Sequence, residues 1–210
     1  MSILSQLSSR CGDRTEQSNV KVAFLCLEEP GLLDEIKQGL HADDARMAGD
    51  CAEVMTKVAE EDPSFIVPFA DDLIVCLAIK KARVRWESMH ALALIANLIP
   101  EKIEFLLPQI DQLIHEDKSV IVQHCGILAL GKYASSGKDA AEKAYPYLKK
   151  AVFVRDSKFA HHAMDGLIYI MIHCPDYHEE IHEIANQFLN HKRVSIRKAS
   201  KRLLQAMGEC

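Results

Sequence analysis

The sequence predicts an all-α solenoid of about five helical hairpins, and three observations predict it. Apolar residues recur at steps of three and four, and no stretch sustains the two-residue alternation of a half-buried strand. A five-point pattern, apolar at 0, small or apolar at 4, then small or apolar at 7, 8 and 11, recurs at starts 37, 38, 37 and 37 residues apart. The first four copies are each followed by a second apolar helix with the same period. One helical hairpin cannot bury its apolar face alone, and stacking a neighbour on it completes a continuous core.

The elements follow in order. Residues 1–10 alternate Ser and Gln with apolar residues and lack the apolar core of a secretory signal, and 1–18 is expected to be a poorly ordered N-terminal segment. A single domain is expected over 19–210. It opens with a degenerate repeat near 19–41, whose first helix lies near Asn19 to Leu27 and whose second is "GLLDEIKQGL". The repeat near 42–80 carries Met47, Cys51, Val54, Met55 and Val58, then "FIVPFADDLI". That near 81–117 carries Val84, Ser88, Ala91, Leu92 and Ile95, then "FLLPQIDQLI". The repeat near 118–155 has Val122, Gly126, Ala129, Leu130 and Tyr133, then "AYPYLKKAV"; that near 156–191 has Phe159, Ala163, Gly166, Leu167 and Ile170, then "IHEIANQFL". Ile196, Ser200, Leu203, Leu204 and Met207 mark a terminal capping helix over 192–207. Pro63, Pro100 and Pro175 sit where one periodic segment stops and the next starts, as proline does in a first helical turn, and Gly137 punctuates the remaining boundary. Glycine inside a helix costs ~1 kcal/mol relative to alanine, so Gly126 and Gly166 are expected where helices approach closely.

Composition narrows the class. The chain has 210 residues, 49% hydrophobic and 26% charged, enough to bury a sizeable core and keep a wet surface. No run reaches the ~18 uninterrupted apolar residues of a membrane span. Seven cysteines stand singly with no CxxC pair, which reads as reduced thiols and a cytoplasmic location; Cys11 and Cys210, near the termini, are the ones expected to be exposed. The net charge of −5 is unevenly spread: residues 1–75 carry 6 basic and 15 acidic groups, 118–158 carry 8 and 3, 159–189 carry none and 5, and 190–210 carry 6 and 1. An alternating field of this kind suits the register of a protein partner better than a long polyanion.

Val84-Arg85 with Ala91-Leu92, Val122 with Ala129-Leu130-Gly131, and Ile196-Arg197 with Leu203-Leu204 resemble the first-helix pattern of HEAT-repeat proteins. Val67-Pro68 and Leu107-Pro108 are similar to that family's second-helix signature. The resemblance runs from about Asn19 to Met207 and implies a right-handed superhelical stack of HEAT-like hairpins. Met47 is followed by Ala48, Phe159 by Ala160 and Val122 by Gln123, so the family's arginine-to-aspartate ladder is incomplete here.

In such stacks the second helices line the concave surface, so their non-core residues are the candidates for partner binding: Lys102, Gln109 and Gln112, then Lys143, Tyr147 and Lys150, then His178 and His182. The basic 118–158 segment between acidic neighbours suggests an acidic peptide or helix as partner, with Lys143 and Lys150 as the attractive zone. Lys192, Arg193, Arg197, Lys198, Lys201 and Arg202 form a C-terminal basic cluster that reads as an anion contact or as the polar face a terminal repeat needs. His178 and His182 lie four apart, but no zinc-ligand quartet or HExxH accompanies them, and no Walker loop, GxGxxG or GxSxG is present. The reading is therefore a non-catalytic scaffold or adaptor with no metal and no cofactor. The alternative is a nucleic-acid-binding protein of the HEAT-like alkylation-repair type, which needs a basic track lined with aromatics; the sole tryptophan, Trp86, lies at offset 2 of a first helix.

Overall fold

Every regular element among the described residues is a helix. The structure, a computed structural model, describes residues 2–206 and Gly208. Met207 and Cys210, singled out by the repeat pattern and the cysteine count, lie outside the described residues. The chain divides into two units, Met1–Leu98 and Ile99–Cys210, and the division falls between the two helices of the repeat expected near 81–117.

In the first unit the helices are α1 (Gln17–Glu28), α2 (Leu33–Leu40), α3 (Ala45–Glu61), α4 (Ala70–Cys76) and α5 (Ala82–Ile95). Helix α3 is the central one, with α1, α2 and α5 packed on it and α4 packed on α5. It starts where Asp44 accepts hydrogen bonds from the amides of Arg46 and Met47, which satisfies two first-turn donors. The expected second helix "FIVPFADDLI" is broken: Pro63 and Pro68 open separate 3-10 turns, Pro63–Phe65 and Val67–Phe69, and only then does α4 begin. The segment ahead of α1, expected to be poorly ordered, is packed. It forms a 3-10 turn, Ile3–Gln6, and a short helix, Ser8–Cys11. Leu7 between them is 0% exposed, and the amides of Ser8 and Ser9 donate to Asn19 Oδ1 (2.9 Å) and Asp50 Oδ2 (2.8 Å). Two buried apolar side chains, Ile3 and Leu7, supply the driving force that the Ser- and Gln-rich composition disguised.

The second unit contains α6 (Pro100–Glu116), α7 (Val120–Ala134), α8 (Lys138–Ala151), α9 (Ala160–His173), α10 (His178–Phe188) and α11 (Val194–Ala206). The first helices α7, α9 and α11 pack side by side, and α6 and α8 pack beside each other across α7. Pro100 stands at the first turn of α6 and Gly137 caps the start of α8. Pro108 and Pro146 lie inside α6 and α8, both on the exposed side, where the ladder hydrogen bond that each removes faces water.

The repeating pattern is the core. Among its described positions every one is buried except Met47, whose sulfur accepts a hydrogen bond from Arg10. The glycines mark close approaches. A Cβ on Gly126 would stand 2.8 Å from Ile114 of α6, and one on Gly166 would stand 2.9 Å from Leu148 of α8. Between α8 and α9, Arg155, Asp156 and Ser157 all take positive φ, and the Arg155 side chain donates to Gln123 of α7. An arginine from the following loop thus meets the position where the family pattern would place one on the first helix itself.

Candidate functional site

Two of the residues singled out on the second helices, Lys143 and Lys150, stand in a ladder with two that were not, Glu104 and Asp111. Glu104 and Asp111 lie seven apart on α6, two helical turns; Lys143 and Lys150 lie seven apart on α8. Lys143 meets Glu104 at 2.8 Å and Lys150 meets Asp111 at 2.6 Å. Lys143 also pairs with Asp139 one turn back, at 2.7 Å. Its own two carboxylate partners hold the ammonium in its charged form, raising its pKa. On the other side of α8, Lys149 and the hydroxyl of Tyr145 both reach Glu180 of α10. Those two bonds lower the Glu180 pKa, and the Tyr145 ring stacks on Tyr177 at 4.0 Å. The lysines that were to attract an acidic partner therefore already face carboxylates of the neighbouring helices. Across α6, α8 and α10 there are nine carboxylates and five lysines, so the layer is acidic although the surrounding sequence segment is basic.

Beyond the rungs, α6 presents a face of its own. Phe105, Gln109 and Gln112 are spaced 4 and 7 apart and share one side of the helix. Phe105 is 86% exposed, Gln112 is exposed and donates to Glu116 at 2.8 Å, and Gln109 and Lys102 are half-buried. Tyr147 is half-buried on α8. His178 and His182 do not converge: His178 Nε2 lies 2.8 Å from the Met171 carbonyl and His182 lies against Asn186. No group of three His, Cys, Asp or Glu among the described residues is placed to hold a metal ion. The C-terminal basic cluster is divided. Arg197 donates to the carbonyls of His191 and Lys192, and Arg202 pairs with Asp165 at 2.6 Å, while Lys192, Lys198 and Lys201 point to solvent and Arg193 is half-buried.

Two clusters escaped the sequence reading. In the first unit, Arg83, just inside α5, donates to Asp50 (2.8 Å) and Glu53 (2.6 Å) of α3 and to Glu16 (3.2 Å). Asn19 of α1 donates to the same two carboxylates at 3.1 and 2.7 Å. The Arg83 stem crosses α3 over Gly49, where a Cβ would stand 2.9 Å from its Cδ. Asp50 is 1% exposed; burial raises the Glu53 pKa against the opposing pull of Asn19 and Arg83. A cavity of about 430 Å³ opens beside this network, lined by Ser9, Arg14, Arg46 and Asp50 among others. The signal was present as two acids three apart on the otherwise apolar face of α3. In the second unit, His162 lies between His124 and His161, with centroids at 4.1 and 3.9 Å and the ring planes tilted by 40° and 38°, and His124 stacks on Phe159.

No family model matches the chain, and no curated protein matches it. Solved structures do. An engineered protein from a structural genomics consortium superimposes with a TM-score of 0.74 at 17% identity, covering 100% of each chain. A second engineered protein gives 0.74 at 17% identity over 98% of this chain, which spans 58% of that one. A designed armadillo repeat protein in complex with the peptide (KR)4 gives 0.74 at 17% identity, covering 97% of each. The chain therefore has the fold of the HEAT- and armadillo-like helical solenoids. No helix among the described residues is long and apolar enough to cross a membrane.

Proposed function

We propose that this chain is a non-catalytic, cytoplasmic scaffold or adaptor that binds an extended segment of a protein partner across the outward faces of α6, α8 and α10, and that the segment is basic. One observation carries the reading. Three of the five lysines of this layer, Lys143, Lys149 and Lys150, are paired with carboxylates of adjacent helices, leaving acid in excess around an exposed Phe105 flanked by Gln109 and Gln112. A glutamine amide has two donors and an acceptor, which suits the exposed peptide groups of an extended chain. An exposed aromatic supplies contact area at small entropic cost. The fold's likeness to a designed repeat protein that binds (KR)4 supports the choice of sign. An acidic layer disfavours nucleic acid, whose phosphates need a basic track.

Fluorescence anisotropy with labelled (KR)4 and (DE)4 peptides tests this. The basic peptide should bind more tightly, with an affinity that falls as salt rises, and Phe105→Ala should weaken it by about tenfold. Preferential binding of (DE)4 overturns the assigned charge; binding of neither peptide overturns the surface.

A further inference from the structure

A cavity of about 280 Å³ opens where the first turns of α6 and α8 meet the end of α7, lined by Pro100, Glu101, Glu104, Tyr133, Gly137 and Asp139 among others. Tyr133 occupies offset 11 of the repeating pattern. The other described copies of that position are Val58, Ile95 and Ile170, so packing there asks only for an apolar side chain. The Tyr133 ring meets that need, being 1% exposed. Its hydroxyl makes no hydrogen bond among the described residues and opens on the cavity, where a ligand can reach it. Burial and the nearby Glu104 and Asp139 carboxylates raise the phenol pKa, so the group stays neutral and its oxygen remains an acceptor.

The charge around this hydroxyl is unbalanced. Lys143 bridges Glu104 and Asp139, one cation for two carboxylates. Lys138 also lines the cavity, but its ammonium lies 3.7 Å from Glu142. Glu101 is exposed and forms no ion pair among the described residues. Pro100 removes one of the first-turn amides that would oppose a cation, and Gly137 puts no side chain over the opening.

We propose that this cavity takes an arginine side chain of the bound basic segment, its guanidinium paired with Glu101 and donating to the Tyr133 hydroxyl oxygen. The inference rests on the peptide-binding reading of α6, α8 and α10. Arginine is selected over lysine because its planar five-donor fork serves a carboxylate and a phenol together, whereas an ammonium is a point charge already supplied here by Lys143.

The test is an anisotropy titration of the intact chain with labelled (KR)4 and with (KK)4, repeated for Tyr133→Phe and Glu101→Gln. Each substitution should weaken (KR)4 by about tenfold, the worth of a hydrogen bond or ion pair to a charged group, and leave (KK)4 within about twofold. Circular dichroism checks that Tyr133→Phe is folded; Glu101→Gln, at an exposed position, carries the test if it is not. Unchanged (KR)4 affinity in both variants, with Phe105→Ala still weakening it, overturns the arginine pocket and leaves the peptide surface standing. Failure of the unaltered chain to bind either peptide overturns both.

Discussion

Gly131 of α7 and Gly166 of α9 meet backbone to backbone: a Cβ on Gly131 would stand 3.1 Å from the Gly166 Cα, and one on Gly166 would stand 3.0 Å from the Gly131 Cα. Two first helices therefore approach as closely as their main chains allow. Gly166→Ala adds a methyl against this backbone and against Leu148, and overpacking of this kind costs ~1–3 kcal/mol. Gly31→Ala, where a Cβ meets nothing within 4 Å, should be neutral or mildly stabilising. Urea denaturation of the two variants decides it; equal midpoints would remove the close approach as a constraint.

Arg83 is the only cation donating to both Asp50 and Glu53 among the described residues. Arg83→Met leaves two buried carboxylates facing each other and should cost ~3 kcal/mol near neutral pH. Glu53, already raised by burial, then loses the opposing pull of Arg83, so the folded state binds a proton there more readily than the unfolded chain. The loss should accordingly shrink as pH falls toward about 5. A loss independent of pH would mean that the Arg83 stem over Gly49, rather than its charge, carries the effect.

Burial first, and then the neighbouring His124 and His161, depress the His162 pKa to about 4; burial also lowers that of His161, against the pull of Asp165. The neutral imidazole is thus favoured in the folded state, whose pKa lies below the unfolded value of about 6.5. Stability from this stack is complete above pH ~6.5 and is lost as pH falls toward 4. The melting temperature should decline across that window, and less steeply for His162→Phe, which keeps an aromatic in the stack. Parallel declines would show that other groups dominate.

Lys150 and Asp111 offer a clean exchange. Lys150→Asp should destabilise by at most ~1 kcal/mol, since the pair is partly exposed, and the double variant Lys150→Asp with Asp111→Lys should recover most of it. A double-mutant cycle by thermal melting measures the coupling. A zero coupling energy would leave the ladder as geometry without energetic weight.

Most of the fold was legible because a repeat writes its core several times: Val84, Val122, Phe159 and Ile196 each open the same buried pattern, and the shared spacing outweighs ambiguity in any one copy. The site was much less legible. Gln109 and Gln112 were named as candidates from helical periodicity, but Phe105 beside them was not, because an exposed aromatic reads as core until its face is known. The charge of the second-helix layer was hard to read for a related reason. Segment totals add Lys118, Lys132, Arg155 and Lys158 to the lysines of α8, yet those four are not on a second helix.

The sequence by itself determined the helical class, the period, the buried positions and the close approaches at Gly126 and Gly166, since each follows from spacing along one chain and the geometry of a 3.6-residue turn. Tertiary structure decided which charges remain unmatched. Glu104 and Lys143 are 39 residues apart, as are Asp111 and Lys150, and a Coulomb interaction depends on distance in space rather than along the chain. Likewise only packing could join Asn19, Asp50, Glu53 and Arg83 into one network, because desolvation and hydrogen bonding act on what folding brings together.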